Sequence, residues 1–213
     1  MTTPGDEGRF PGFDVTAQRR HWDEVTAGVV LARLAPPRGL AYFTEEEART
    51  ARCLVDALLA QSDEPYVDVV ADIDRRLAHG ETDGWRYEDM PEDAEAWRLS
   101  LRHLDHDAGQ RYQSRFADLD RDRRRTVIDG VQESDGAWFG LPAKRVWSLW
   151  TRYACTAFYA HPWAWTEIGF GGPAYPRGYK NLGGREPWER PEHDAADPVP
   201  WGERVEAARK RHG

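Results

Sequence analysis

No run of about 18 apolar residues interrupts this 213-residue chain, so no segment has the length that a membrane-spanning helix needs. Cysteine is scarce. Cys53 and Cys155 are the only two, which excludes a disulfide framework and a cysteine-based metal cluster. Both fall in helix-like stretches and read as buried thiols. Positive charge is the minority sign, 29 Lys and Arg against 37 Asp and Glu, for a net charge of -8. A nucleic-acid surface would carry the opposite balance. The one basic cluster, RDRRRTV from Arg121 to Val127, follows DLDRD and reads as a solvated helix face. Clean period-2 alternation is also absent, so no strand is expected. Catalytic and cofactor signatures are missing: no GxSxG, no P-loop, no GxGxxG after a strand, no CxxCH and no HExxH.

Arg19-Arg20 in QRRHWDEV has the look of a twin-arginine signal, but His21, Asp23 and Glu24 stand where an apolar region would follow. The expectation is a chain with no signal peptide of its own. That places it in the cytoplasm, with a periplasmic or other extracytoplasmic location only through co-export with a partner.

What the chain does have is helical periodicity. The apolar fraction is 40%, yet mean hydropathy is -0.78, so apolar residues are interleaved with charge. HWDEVTAGVVLARLA predicts a short helix from Trp22, ended by Pro36-Pro37. FTEEE supplies Thr44 as N-cap with Glu47 three residues later, a capping box. Ala51, Leu54, Val55 and Leu58 then form one helical stripe. A second stripe runs through Tyr66, Val69, Val70, Ile73 and Leu77, with Pro65 at its first position and Gly80 at its stop. Residues 80 to 91 read as a loop carrying Trp85 and Tyr87. Further helices follow from Trp97, Leu101 and Leu104, and from Val127, Ile128 and Val131. The widest stripe combines Val146, Leu149, Trp150, Tyr153 and Ala157 with Trp147, Ala154 and Phe158, and predicts a central helix. The expected fold is all-α: a compact bundle of about six helices, then an irregular C-terminal segment rich in aromatics, Gly and Pro from about residue 161.

Two clusters invite a chemical reading. HLDHD places His103 and His106 on one helix face beside Asp105 and Asp107, which a metal could use, but no second motif supplies further ligands. His161 before Pro162 could serve as a base; as a cation it would suit the C-terminus of the long helix. GFGGP at 169–173 lacks the Lys and following helix of a phosphate loop, so its glycines read as turn formers.

The tail is the unusual part. Seven of the ten tryptophans lie at or after Trp138, so large rigid surfaces gather in the C-terminal third. Such residues belong in cores or interfaces. The segment AFYAHPWAWTEIGFGGPAYPRGYKNL resembles the C-terminal motif of the gluconate 2-dehydrogenase subunit 3 family. The FT-x-E start at Phe43 to Glu46, the corner at Tyr159, His161 and Pro162, GFGGP and the aromatic-Gly stretch all fit, over about residues 40 to 190.

The resemblance implies a non-catalytic small (gamma) subunit. It implies a large partner of the glucose-methanol-choline type that holds FAD and oxidises sugars, sugar acids or related alcohols; some complexes add a cytochrome c subunit. It implies no catalytic, cofactor or metal residue in this chain, no nucleic acid and no direct membrane span. The expected organisation is an N-terminal arm and short helix at 1–40, a helical domain at 41–190 and a tail at 191–213. Interface candidates are Tyr159, His161, Trp163, Trp165, Phe170, Gly171, Gly172, Tyr175, Arg177 and Tyr179. Competing readings are a stand-alone metal-dependent enzyme using the His103/His106 region, and a general protein-interaction module.

Overall fold

The computed structural model describes residues 14–35, 39–61 and 67–175, with single positions at 206 and 210. Seven α-helices dominate these residues: α1 (Glu24–Ala32), α2 (Glu45–Leu58), α3 (Val69–Ala78), α4 (Asp93–Tyr112), α5 (Arg121–Glu133), α6 (Ala143–Ala160) and α7 (Pro162–Ile168). Two short 3-10 helices, Val15–His21 and Phe116–Asp118, and a two-stranded hairpin of β1 (Ala137–Trp138) and β2 (Leu141–Pro142) complete them. The all-α expectation holds. The chain forms two compact units, one spanning 37–158 and one joining 1–36 to 159–213.

In the 37–158 unit, α2 starts where the capping box predicts. Thr44 accepts from the Glu47 N–H, and Glu47 reaches back to the Thr44 N–H. Its stripe of Ala51, Leu54 and Val55 is buried. The helix lies against α3, α4 and α5, so α2 holds the central place expected of α6. Breadth of an apolar stripe measures burial rather than position, and α6 buries its own in the aromatic core. There Trp97 meets Tyr153 edge-on at 5.9 Å, and the Trp150 indole N–H donates to Ser100 Oγ at 2.9 Å. Helix α3 begins at Val69, with Asp68 capping the Ala71 N–H; Pro65 and Tyr66 lie outside the described residues. Gly80 stops α3 at a φ of +64°.

Three expectations need correcting here. Cys155 is exposed and Cys53 partly exposed, because Cys155 sits on the face of α6 opposite its buried stripe. A hairpin exists in SDGAWFGLP, with Trp138 paired to Leu141; two-residue strands are too short to show alternation. The segment from 161 is not irregular at its start, since α7 occupies 162–168.

The discontinuous unit is built differently. The sequence reads as an arm up to about residue 20, yet Val15–His21 is a 3-10 helix with Val15 fully buried. Helix α1 starts two residues later than Trp22, because Asp23 caps it through the Thr26 N–H; Trp22 is freed to enter the core. That core is Val15, Trp22, Val30 and Trp165, with Ala27 and Phe170 packed against it. Val15 N–H donates to Thr166 Oγ1 at 3.2 Å, tying the 3-10 helix to α7.

Candidate functional site

The tail earns its place through α7. His161 is the N-cap of this helix: its Nδ1 accepts the Trp163 N–H at 3.1 Å. Pro162 fills the first helical position, where a missing N–H costs nothing. This corrects the reading of His161 as a cation at the end of α6. An Nδ1 that accepts must be unprotonated, and the N-terminal end of a helix disfavours positive charge. Burial, with Arg33 nearby, holds the imidazole below its ordinary pKa. Gly169 closes α7 in the left-handed region at φ +70°, a stop that glycine reaches without a Cβ penalty.

Between its two ends α7 delivers Trp165. The indole N–H donates to the Tyr159 carbonyl at 2.6 Å, and Phe170 stands edge-on to the ring at 5.5 Å. Gly172 is held at φ +82°, where an added Cβ would come within 2.6 Å of Trp22 Cζ2. The GFGGP glycines therefore form turns, as read from the sequence, and Gly172 also allows a close approach to an indole.

Trp165, Phe170 and Pro173 form the floor of an open groove of about 420 Å³, and Val25, Val29 and Arg33 form its wall. Val25 is 74% exposed and Val29 54%, large fractions for branched aliphatic side chains. The Arg33 guanidinium sits 5.5 Å over the Trp165 ring and donates to the Ala160 carbonyl at 2.8 Å.

The sequence candidates divide as follows. Trp165 and Phe170 line the groove. Gly171 and Gly172 are buried beneath the turn. His161 acts through α7, while Tyr159 and Tyr175 are exposed, 50% and 63%. Trp163 is half-buried on α7. Arg177 and Tyr179 lie outside the described residues. The α1 wall was missed. Its signal is visible in EVTAGVVLA, a helix apolar on nearly every side, which demands cover on more than one face.

HLDHD is engaged elsewhere. His103 and His106 flank Phe139, at 5.4 and 4.8 Å between ring centres. Asp105 accepts the Phe116 N–H at 3.0 Å. Asp107 accepts from Arg111 Nε and from the Trp138 indole. Among the described residues no three His, Cys, Asp or Glu side chains come together as metal ligands do.

A second polar cluster belongs to the 37–158 unit. Arg152 bonds both Asp83 and Asp93, Arg76 bonds Asp83, and Tyr153 donates to Asp93 at 2.8 Å. Burial pushes the Asp83 carboxyl up, but the two arginines outweigh it and hold it below the usual range. The cluster fastens the 80–91 loop to α3, α4 and α6, a structural task.

Among known proteins, no curated protein and no solved structure matches this chain. A family model does, that of gluconate 2-dehydrogenase subunit 3, over residues 45–172. The matched stretch runs from the first turn of α2 to Gly172, taking in the groove floor at Trp165 and Phe170 and leaving out the α1 wall. It covers more than half of the chain, which therefore belongs to the gluconate 2-dehydrogenase subunit 3 family and is an accessory subunit of that kind.

Proposed function

We propose that the chain is the non-catalytic small subunit of a dehydrogenase complex. It binds and supports a large FAD-dependent subunit of the glucose-methanol-choline type, which oxidises a sugar, sugar acid or related alcohol. The flavin belongs to that partner. Assembly takes place in the cytoplasm, and a signal on the partner would carry the complex out of it.

The observation that carries this reading is the groove. Val25 and Val29 stand exposed over an aromatic floor, and contiguous apolar surface rimmed by polar groups is what protein interfaces use. A subunit without a reaction of its own needs such a face.

The test is co-expression with a large FAD-dependent subunit of the glucose-methanol-choline type from the same organism, followed by size-exclusion chromatography read at about 450 nm, where oxidised flavin absorbs. Co-elution of this chain with the yellow fraction is expected, as is its loss in a Val25→Asp/Val29→Asp variant that keeps its helicity. A chain that elutes apart from the flavoprotein at every ratio sinks the reading.

A further inference from the structure

We propose that the groove takes an amphipathic helix of the large subunit whose apolar face ends in a carboxylate, and that this carboxylate pairs with Arg33. The proposal rests on the accessory-subunit reading above and names the chemistry of its docking segment.

Val25, Val29 and Arg33 stand at i, i+4 and i+8. Arg33 is the C-cap of α1 and keeps helical φ and ψ, -72° and -13°. The three therefore share one face over about 12 Å of helix, given a rise of about 1.5 Å per residue. Two apolar positions and one cation in register are the template a helix-in-groove partner reads.

Arg33 decides the charge. Among the described residues its partners are the Ala160 carbonyl and the Trp165 ring, both uncharged. Among the described residues no carboxylate pairs with it, whereas Arg49, Arg76, Arg111 and Arg152 of the 37–158 unit each pair with an aspartate. A wholly apolar segment laid over the groove would strip water from this guanidinium and return nothing, a costly outcome. A segment bearing an acid at that end converts the desolvation into a pair and fixes register. Glu24, exposed next to Val25 at the far end of α1, repels an acid there and sets the direction. Helix α1 and Pro173 lie outside the family-matched residues 45–172, so the match takes in only the Trp165 and Phe170 part of the groove.

The experiment uses the full chain and three synthetic helical peptides. The first carries Leu at i and i+4 and Glu at i+8; the second has Lys for that Glu; the third has Ser for both Leu. Fluorescence anisotropy of the labelled peptides reads affinity. The Glu peptide should bind at least tenfold tighter than the other two. Arg33→Glu should reverse the preference in favour of the Lys peptide, a gain that a merely structural role for Arg33 would not produce. Equal binding of the Glu and Lys peptides, or a preference unmoved by Arg33→Glu, overturns the proposal. So does absence of peptide binding, whichever cover replaces it. Loss of thermal stability in Val29→Asp would then identify the chain's own residues as the cover, and dimers split by that substitution would identify a second copy. Where the flavoprotein complex forms and Val25→Asp/Val29→Asp releases it but Arg33→Glu does not, the accessory reading stands and the carboxylate proposal fails.

Discussion

His161 Nδ1 accepts the backbone N–H of Trp163 at 3.1 Å, and through this one bond the protonation of an imidazole is linked to the helix that carries the groove floor. Protonated, the ring has no lone pair at Nδ1. The first turn of α7 then loses its cap and gains a positive charge where the helix dipole is itself positive. The positive charge of Arg33 adds to the penalty.

The pH dependence follows. Burial and Arg33 lower the folded-state pKa of His161 below its ordinary value, so the unfolded chain binds the proton more readily. The cap contributes fully above the ordinary histidine range and is lost as pH falls through that range toward the lowered value. Thermal melts of wild type and His161→Asn at pH 7.5 and 5.5 measure it. Asparagine caps without titrating, so the variant should hold its stability where wild type loses about 1 kcal/mol, the typical worth of an N-cap. Parallel losses in both proteins would disconnect the imidazole from the cap.

Gly172→Ala tests the close approach to Trp22. The added Cβ would lie 2.6 Å from the indole at a φ of +82°, so it meets both a rigid ring and an unfavourable backbone. A cost of about 2–3 kcal/mol is expected from strain of this kind. Near-UV circular dichroism should show a disturbed tryptophan environment. By contrast, Gly28→Ala meets open space in α1 and should be neutral or stabilising by up to about 1 kcal/mol. Equal effects of the two substitutions in urea denaturation would contradict the packing of Trp22.

Much of the fold was legible because its signals are local. The capping box at Thr44 and Glu47, the stripe through Leu54 and Val55 and the glycine stop at Gly80 all act within one or two turns. The errors arose where local signals competed or where the cause was distant. His161-Pro162 was read as the end of α6, yet the same pair is a helix start, with proline at the first position. Trp22 looked like a helix residue, but Asp23 is the better cap, and the indole then packs on Gly172 about 150 residues later in sequence. The groove floor was visible in the aromatic tail. Its wall was not, because nothing in EVTAGVVLA announces a partner 130 or more residues further on; only the helix's lack of a polar face hinted at it.

A carboxylate held against its charge gives a second pH-linked prediction. Burial, with Asp68 nearby, pushes Asp56 up to about 6. Folding therefore favours its protonated form, and the stability tied to Asp56 is lost as pH rises from about 4 through about 6. Asp56→Asn keeps the oxygen that accepts from Gln61 Nε2 and removes the charge. It should raise stability at pH 7.5 by about 1 kcal/mol, a modest figure because the half-exposed group is screened by solvent. The gain should vanish near pH 4. Denaturant midpoints across pH 4 to 8 would expose a flat difference, which would contradict the burial of this carboxyl.

Asp74 tests the polar anchor that leads into α2. Its carboxylate is 2% exposed, and three consecutive backbone N–H groups converge on it: Ala41 on Oδ2 at 2.7 Å, Tyr42 on Oδ1 at 3.0 Å and Phe43 on Oδ1 at 2.7 Å. Asp74→Ala leaves these donors without an acceptor and should cost about 3 kcal/mol, since unmet buried donors forfeit their desolvation. Asp74→Asn is the sharper probe. With its oxygen in the Oδ1 place it still accepts from Tyr42 and Phe43, while its NH2 confronts the Ala41 N–H, a donor facing a donor. Its cost should fall near half that of alanine. Hydrogen exchange should then show faster opening at Ala41, with Phe43 still protected. Equal costs for Ala and Asn, or uniform loss of protection from 41 to 43, would mean that the two oxygens do not divide the three donors in this way.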